Sequence, residues 1–200
     1  MQSWSLHVVR LMIGGKIQNY RNILRRYIRD YGENEDINRA VQVLERAKRD
    51  ALKAQDKTEL IGYEGMASNA YFEVLPILIL NQKTDFPFHG RNRRPPKDAV
   101  NAMLSFAYTL IANDVAAALE TVGLDPYVGF LHTLRPGRTS LALDMMEELR
   151  AYLGDRFILS LINKRQISVK DFLFQGDNGV VMTDKGKRLL LLHGRQGKGK

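Results

Sequence analysis

Cysteine is absent from all 200 residues, so neither a disulfide framework nor a thiolate metal centre can form. Any metal would have to be held by oxygen and imidazole ligands, a donor chemistry that favours Mg²⁺ or Mn²⁺ over structural zinc. Long apolar runs are lacking too. The longest aliphatic stretch, Val74 to Leu80, includes Pro76 and falls far short of the roughly 20 residues that cross a bilayer. The N-terminus reads as an amphipathic helix rather than a charged stub followed by an apolar stretch, so no secretory signal is read there. The expectation is a soluble cytoplasmic protein with no membrane association. Acidic residues are in the minority: 22 Asp and Glu stand against 30 Lys and Arg, giving a formal charge of +8 and a pI near 9.7. Such a balance suits a nucleic-acid binder without establishing one. A chain of this length can bury a substantial core without staples of any kind.

What is present is mostly helical periodicity. Leu6, Val9, Ile13, Ile17, Leu24, Ile28 and Tyr31 recur at intervals near three and four, which predicts an amphipathic helix over residues 5–31. Lys16, Arg21, Arg25, Arg26 and Arg29 are placed on its outer face, either as a solvated surface or as one that meets phosphates. Ile37, Val41, Leu44, Ala47 and Ala51 give a second helix, and a third is expected to start at a Thr58 cap and run to about Leu80. Residues 84–97 break the pattern with four prolines and glycines among Arg91, Arg93, Arg94 and Lys97. From Asp98 to about Val122 an almost uncharged helix is expected at the centre of the core, ended by Gly123. After an irregular stretch, Ser140 is expected to cap a helix to Leu153 with Gly154 as its terminator, followed by another over 156–164. Phe172–Phe174 and Val180–Met182 flank Gly176-Asp177-Asn178-Gly179, a hairpin signal. Thr183 can cap a last helix through Leu192, and the basic, glycine-rich tail 193–200 is expected to stay disordered. The expected class is therefore mainly α, with one small β-hairpin near the C-terminus.

Four positions could carry chemistry. On a helical third segment Glu64 shares a stripe with Ala67, Tyr71 and Leu75, which turns its carboxylate inward. A buried carboxylate needs a cation or hydrogen-bond donors to remain ionised, and an ion pair with an arginine would serve as well as a metal. His132 lies just before the basic turn Arg135-Pro136-Gly137-Arg138. On the next helix Asp144 and Glu147 are three residues apart on one face, so either Arg150 and solvent or a bound cation must absorb their repulsion.

Tyr63-Glu64-Gly65, the segment Arg91 to Pro96 with Asp98 and Asn101, Gly129-Phe130-Leu131-His132, and the run Ser140 to Arg150 together resemble, in order and spacing, the signature blocks of the CRISPR adaptation integrase (Cas-one) family. Asn163, Arg165 and Gln166 continue the pattern, and the likeness runs from about Leu6 to Leu192. The resemblance implies a multi-helix catalytic domain over residues 1–192 that binds Mg²⁺ or Mn²⁺ through Glu64, His132 and Glu147, the last falling fifteen residues after the histidine. Asp144 then orients a ligand or a bound water. It also implies a metal-dependent endonuclease or integrase that inserts short foreign DNA fragments into a CRISPR array by attack of a 3′-hydroxyl on a phosphodiester. Arg91, Arg93, Arg94, Arg135 and Arg138 become candidates for DNA-backbone contacts, with ties from Arg93 or Arg94 to carboxylates as the alternative.

Implied partners are double-stranded or branched DNA, a second copy of the chain, and a dimer of a small companion protein of the Cas-two type. Family members also carry a β-rich N-terminal domain that supports dimerisation and usually extend past the last helix, so both ends look shortened here. A non-catalytic, helical DNA-binding or assembly fragment is the alternative reading.

Overall fold

The computed structural model describes residues 2–92, 94–132 and 135–196. Seven α-helices and a two-stranded antiparallel hairpin make up the framework: α1 Gln2–Tyr31, α2 Glu35–Ala51, α3 Lys57–Val74, α4 Ala99–Thr121, α5 Ser140–Leu149, α6 Arg156–Asn163, β1 Phe172–Phe174, β2 Val180–Met182 and α7 Asp184–Gln196. Helix α1 packs on α2, α3 and α5, and α4 packs on α5. Its buried stripe is Val9, Ile13, Ile17, Tyr20 and Leu24, the spacing of one helical face. Gly14 and Gly15 do not interrupt it. Gly15 instead lies where a Cβ would come within 2.7 Å of Glu148, so its bare backbone lets α1 and α5 approach closely.

Capping explains where three of the helices start, whereas α5 begins at Ser140 itself rather than after it, and Thr139 before it gives no side-chain cap. The Asn34 side chain accepts from the Ile37 amide ahead of α2, Asp56 from Glu59 ahead of α3, and Asp98 from Asn101 ahead of α4. The cap of α3 is thus Asp56 rather than Thr58, which lies inside the first turn. That helix ends at Val74, where Pro76 enforces a 3₁₀ turn over Leu75–Leu78. Helix α4 is long and apolar enough by composition to cross a membrane, but here its first half is the buried centre of the bundle, with Ala99 to Leu104, Ala107 and Tyr108 all in the core.

Gly154 does not end a helix. A π-helical segment, Arg150–Asp155, carries α5 into α6 without a break, and a Cβ at Gly154 would stand 2.9 Å from the Tyr108 ring. The glycine is therefore required by the aromatic beneath it rather than by a helix terminus. The hairpin pairs Phe172 with Met182 and Phe174 with Val180, and the amide of Val180 donates to the Pro96 carbonyl at 2.7 Å, which ties it to the loop before α4. Thr183 Oγ1 accepts from the Gly186 amide at the start of α7. That helix runs to Gln196, four residues into the stretch expected to be an unpacked tail, and 197–200 lie outside the described residues.

Candidate functional site

Lys16, placed on the outer face of α1 by periodicity, is in fact only 3% exposed. It sits at the edge of the apolar stripe, one turn before Tyr20, where a long side chain can turn inward as readily as outward. Its Nζ donates to Glu147 Oε2 from α5 at 2.7 Å and also to Glu64 Oε1 from α3. The buried partner of Glu64 is therefore a lysine from another helix, not an arginine. Ser68 Oγ donates to the same Glu64 oxygen at 2.8 Å. Glu147 Oε1 is 2.9 Å from Arg150 Nη2, one turn along on its own chain segment, so both oxygens of this carboxylate face cations.

Electrostatics follow from that geometry. Burial alone would push the Glu147 carboxyl up, but Lys16 and Arg150 outweigh it and hold the group below the ordinary glutamate value. Burial likewise opposes the Lys16 charge, and the fields of Tyr20, Glu147 and Glu64 overcome it, raising that ammonium above the ordinary lysine value. The register between α1 and α3 is fixed by Tyr20 and Tyr71, whose rings stack 4.0 Å apart at 13°.

Asp144 organises the other half of the site. It is fully buried and accepts from the amides of Phe130 (2.5 Å), Leu131 (2.8 Å) and His132 (3.0 Å), with His132 Nδ1 2.5 Å from its Oδ1. Burial pushes its carboxyl up, but His132 and these three amides prevail and hold it low. Gly129 makes the approach feasible, since a Cβ there would lie 2.8 Å from Asp144 Oδ2. The carboxylate thereby fixes the imidazole's orientation and leaves Nε2 as the nitrogen suited to coordination.

Lys16 and Glu64 border an open cavity of about 250 Å³, which Ser68, Arg91, Tyr108 and Arg150 also line. Arg91 donates to Asn101 Oδ1 at 2.8 Å and to Ser105 Oγ at 3.1 Å, and its guanidinium lies 5.3 Å from the Tyr108 ring centroid. Buried Asn101 also bonds Asp98, Asn92 and the Gly90 carbonyl, so one amide on the first turn of α4 gathers the loop that precedes it. Arg94 and Arg135 are exposed, Arg138 is half-buried, and Arg93 lies outside the described residues.

The two glutamates thus meet around one cation, and His132 is held on Asp144. Among the described residues no three His, Asp or Glu side chains stand close enough to hold one metal ion. The donor types suit a hard divalent cation, and the carboxylate pair already demands positive charge, but that demand is met by an ammonium.

The profile of the family described as CRISPR associated protein Cas1 matches residues 1–195. The chain belongs to the Cas1 family. A CRISPR-associated endonuclease Cas1 of Leptospira interrogans is 43% identical over 194 residues, covering 96% of this chain and 76% of that protein. A second, from Chlorobaculum tepidum, is 47% identical over 187 residues, covering 92% of this chain and 54% of its own length. Among solved structures, a Cas1 protein of Thermotoga maritima has a TM-score of 0.83 at 30% identity and covers 98% of this chain and 59% of that one. A casposase bound to integration product has a TM-score of 0.82 at 24% identity, covering 100% of this chain and 57% of that one, a likeness of fold alone. The chain spans little more than half the length of several of these relatives.

Within this Cas1-family chain, sequence reasoning missed the inward turn of Lys16, and it missed Ser68, Tyr108 and Asp155. Lys16 carried one usable signal: it is the charged residue nearest the centre of the α1 stripe, one turn from Ile13 and Tyr20. Asp155 carried none, because the π-helical segment that turns it inward breaks the period from which its face would be read.

Proposed function

We propose that this chain is the helical catalytic domain of a CRISPR adaptation integrase, a divalent-metal-dependent DNA endonuclease that inserts short foreign DNA fragments into a CRISPR array by 3′-hydroxyl attack on phosphodiesters. The observation that carries this reading is the convergence of Glu64 from α3 and Glu147 from α5 on a single cation position, beside a histidine oriented by Asp144. Family membership supports it.

Glu64, Glu147 and His132 Nε2 would hold the metal, Mg²⁺ or Mn²⁺. Bound there, the ion would polarise a phosphodiester and acidify a hydroxyl or a water. Asp144 holds His132 in one orientation. Arg91 and Arg150 border the cavity beside Glu64, where guanidinium groups stabilise charge that builds on a phosphate. Arg93, Arg94, Arg135 and Arg138 serve the flanking DNA backbone, where each phosphate contact adds to the salt dependence of binding. Double-stranded or branched DNA, a homodimer of the chain and a Cas-two-type dimer are the partners of this reading, and the cytoplasm is its compartment.

The test is processing of branched DNA by the full chain with Mg²⁺ or Mn²⁺. Turnover is expected to disappear in Glu64→Ala and in His132→Ala while circular dichroism shows the fold retained. Turnover that persists in EDTA would overturn the metal mechanism. Salt-sensitive DNA binding without turnover in any metal would leave a non-catalytic assembly module instead.

A further inference from the structure

We propose that Lys16 is a resident counter-cation of the candidate metal site: its ammonium fills the position between Glu64 and Glu147 and must cede it before a divalent ion can be held there. This rests on the metal-site reading above and adds a residue to it.

The geometry is specific. Lys16 is 3% exposed, and its nitrogen contacts one carboxylate oxygen from each of two separate helices. On Glu147 the remaining oxygen faces Arg150, so no side of that carboxylate is without a cation. Two carboxylates brought together in a mostly buried place repel unless a positive charge lies between them. The ammonium meets that need within the chain, so the bundle can close before any metal arrives. It also explains why the three candidate ligands do not form a coordination cluster: the carboxylates are arranged about Lys16, on the α1 side, and not about His132.

A charge so placed has two consequences. Divalent ions compete with an intramolecular cation, which weakens their binding, and the folded state does not depend on them. Lysine suits this role because its ammonium is a compact point charge on a flexible stem that can swing aside, whereas a guanidinium has a rigid fork. On leaving, it would face the cavity that Arg91 and Tyr108 line.

The experiment compares Mn²⁺ binding, by electron paramagnetic resonance and calorimetry, in the full wild-type chain, Lys16→Met and Lys16→Arg. Lys16→Met is expected to bind Mn²⁺ at least tenfold more tightly and to melt lower without metal. Saturating Mn²⁺ should raise its melting temperature more than it raises that of wild type. Lys16→Arg, which keeps the charge, should stay as weak a binder as wild type. Equal or weaker binding by a folded Lys16→Met would overturn the role of Lys16 while leaving the metal site in place. Absence of Mn²⁺ binding in all three proteins would overturn the metal-site reading and this inference with it.

A measurement on wild type guards against a Lys16→Met chain that fails to fold. In ¹⁵N-lysine spectra, one slowly exchanging ammonium signal, missing from Lys16→Arg, should move or lose protection as Mg²⁺ is added. A signal unchanged at saturation would overturn the displacement.

Discussion

Glu147→Ala should lower the unfolding free energy by about 3–5 kcal/mol, the cost of removing one partner from a buried ion pair. The expectation comes from what remains. Arg150 loses the carboxylate 2.9 Å away, and Lys16, at 3% exposure, is left with Glu64, which is 25% exposed, as its one carboxylate among the described residues. Urea unfolding at neutral pH, followed by circular dichroism, measures it. Lys16→Met/Glu147→Ala should cost at least about 1 kcal/mol less than the sum of the single changes, because the second substitution removes a charge that the first has orphaned. A Glu147→Ala chain as stable as wild type would mean that the three-helix ion network does not form in solution.

The second large effect is a pH dependence centred on Asp155. This carboxyl is fully buried; burial outweighs the hydrogen bonds and the nearby arginines and pushes it up from 3.8 to about 6. The Tyr108 hydroxyl donates to Oδ1 at 2.5 Å. The Tyr71 hydroxyl lies close to the same carboxylate and, like Tyr108, opposes the rise. Between pH 3.8 and about 6 the folded chain therefore holds a proton that the unfolded chain has released, so stability falls as pH rises through that window. At about 1.4 kcal/mol for each tenfold change in proton affinity, the loss is roughly 3 kcal/mol by pH 7.

Asp144 and Glu147 act in the opposite sense. Their carboxyls are held low, so they contribute stability above the ordinary carboxylate range that is lost as pH falls through their folded values. The difference in stability between wild type and Asp155→Asn isolates the Asp155 effect. It should shift against wild type by about 2 kcal/mol from pH 4 to pH 7, and a constant difference would refute the assignment.

Much of the architecture was legible because it rests on local rules. The α1 stripe, the charge-poor α4 and its start near Asp98, and the hairpin around Gly176 and Gly179 each follow from period or turn chemistry, and the structure places them where those rules do. Inward orientation of Glu64 was legible for the same reason, as was Arg150 as one partner for Glu147. What was not legible depends on contacts between distant segments. The place of Lys16 beside the α1 stripe permits an inward turn, but its reason for making one lies on α3 and α5. The π-helical segment escaped because Gly154 looks like a terminator to any rule that does not see the Tyr108 ring. Asp144 was expected to support a ligand, but the three amides it gathers from the His132 loop appear only when the loop is folded onto α5.

The stacked Tyr20 and Tyr71 rings give the site an optical reporter of its own. Tyr20 follows Lys16 by one turn of α1, and Tyr71 follows Glu64 by two turns of α3. Any event that pries the ammonium from the carboxylate strains the same helix pair that holds the rings in van der Waals contact. Their coupled near-ultraviolet dichroism therefore registers the state of the ion network directly, without label or substrate.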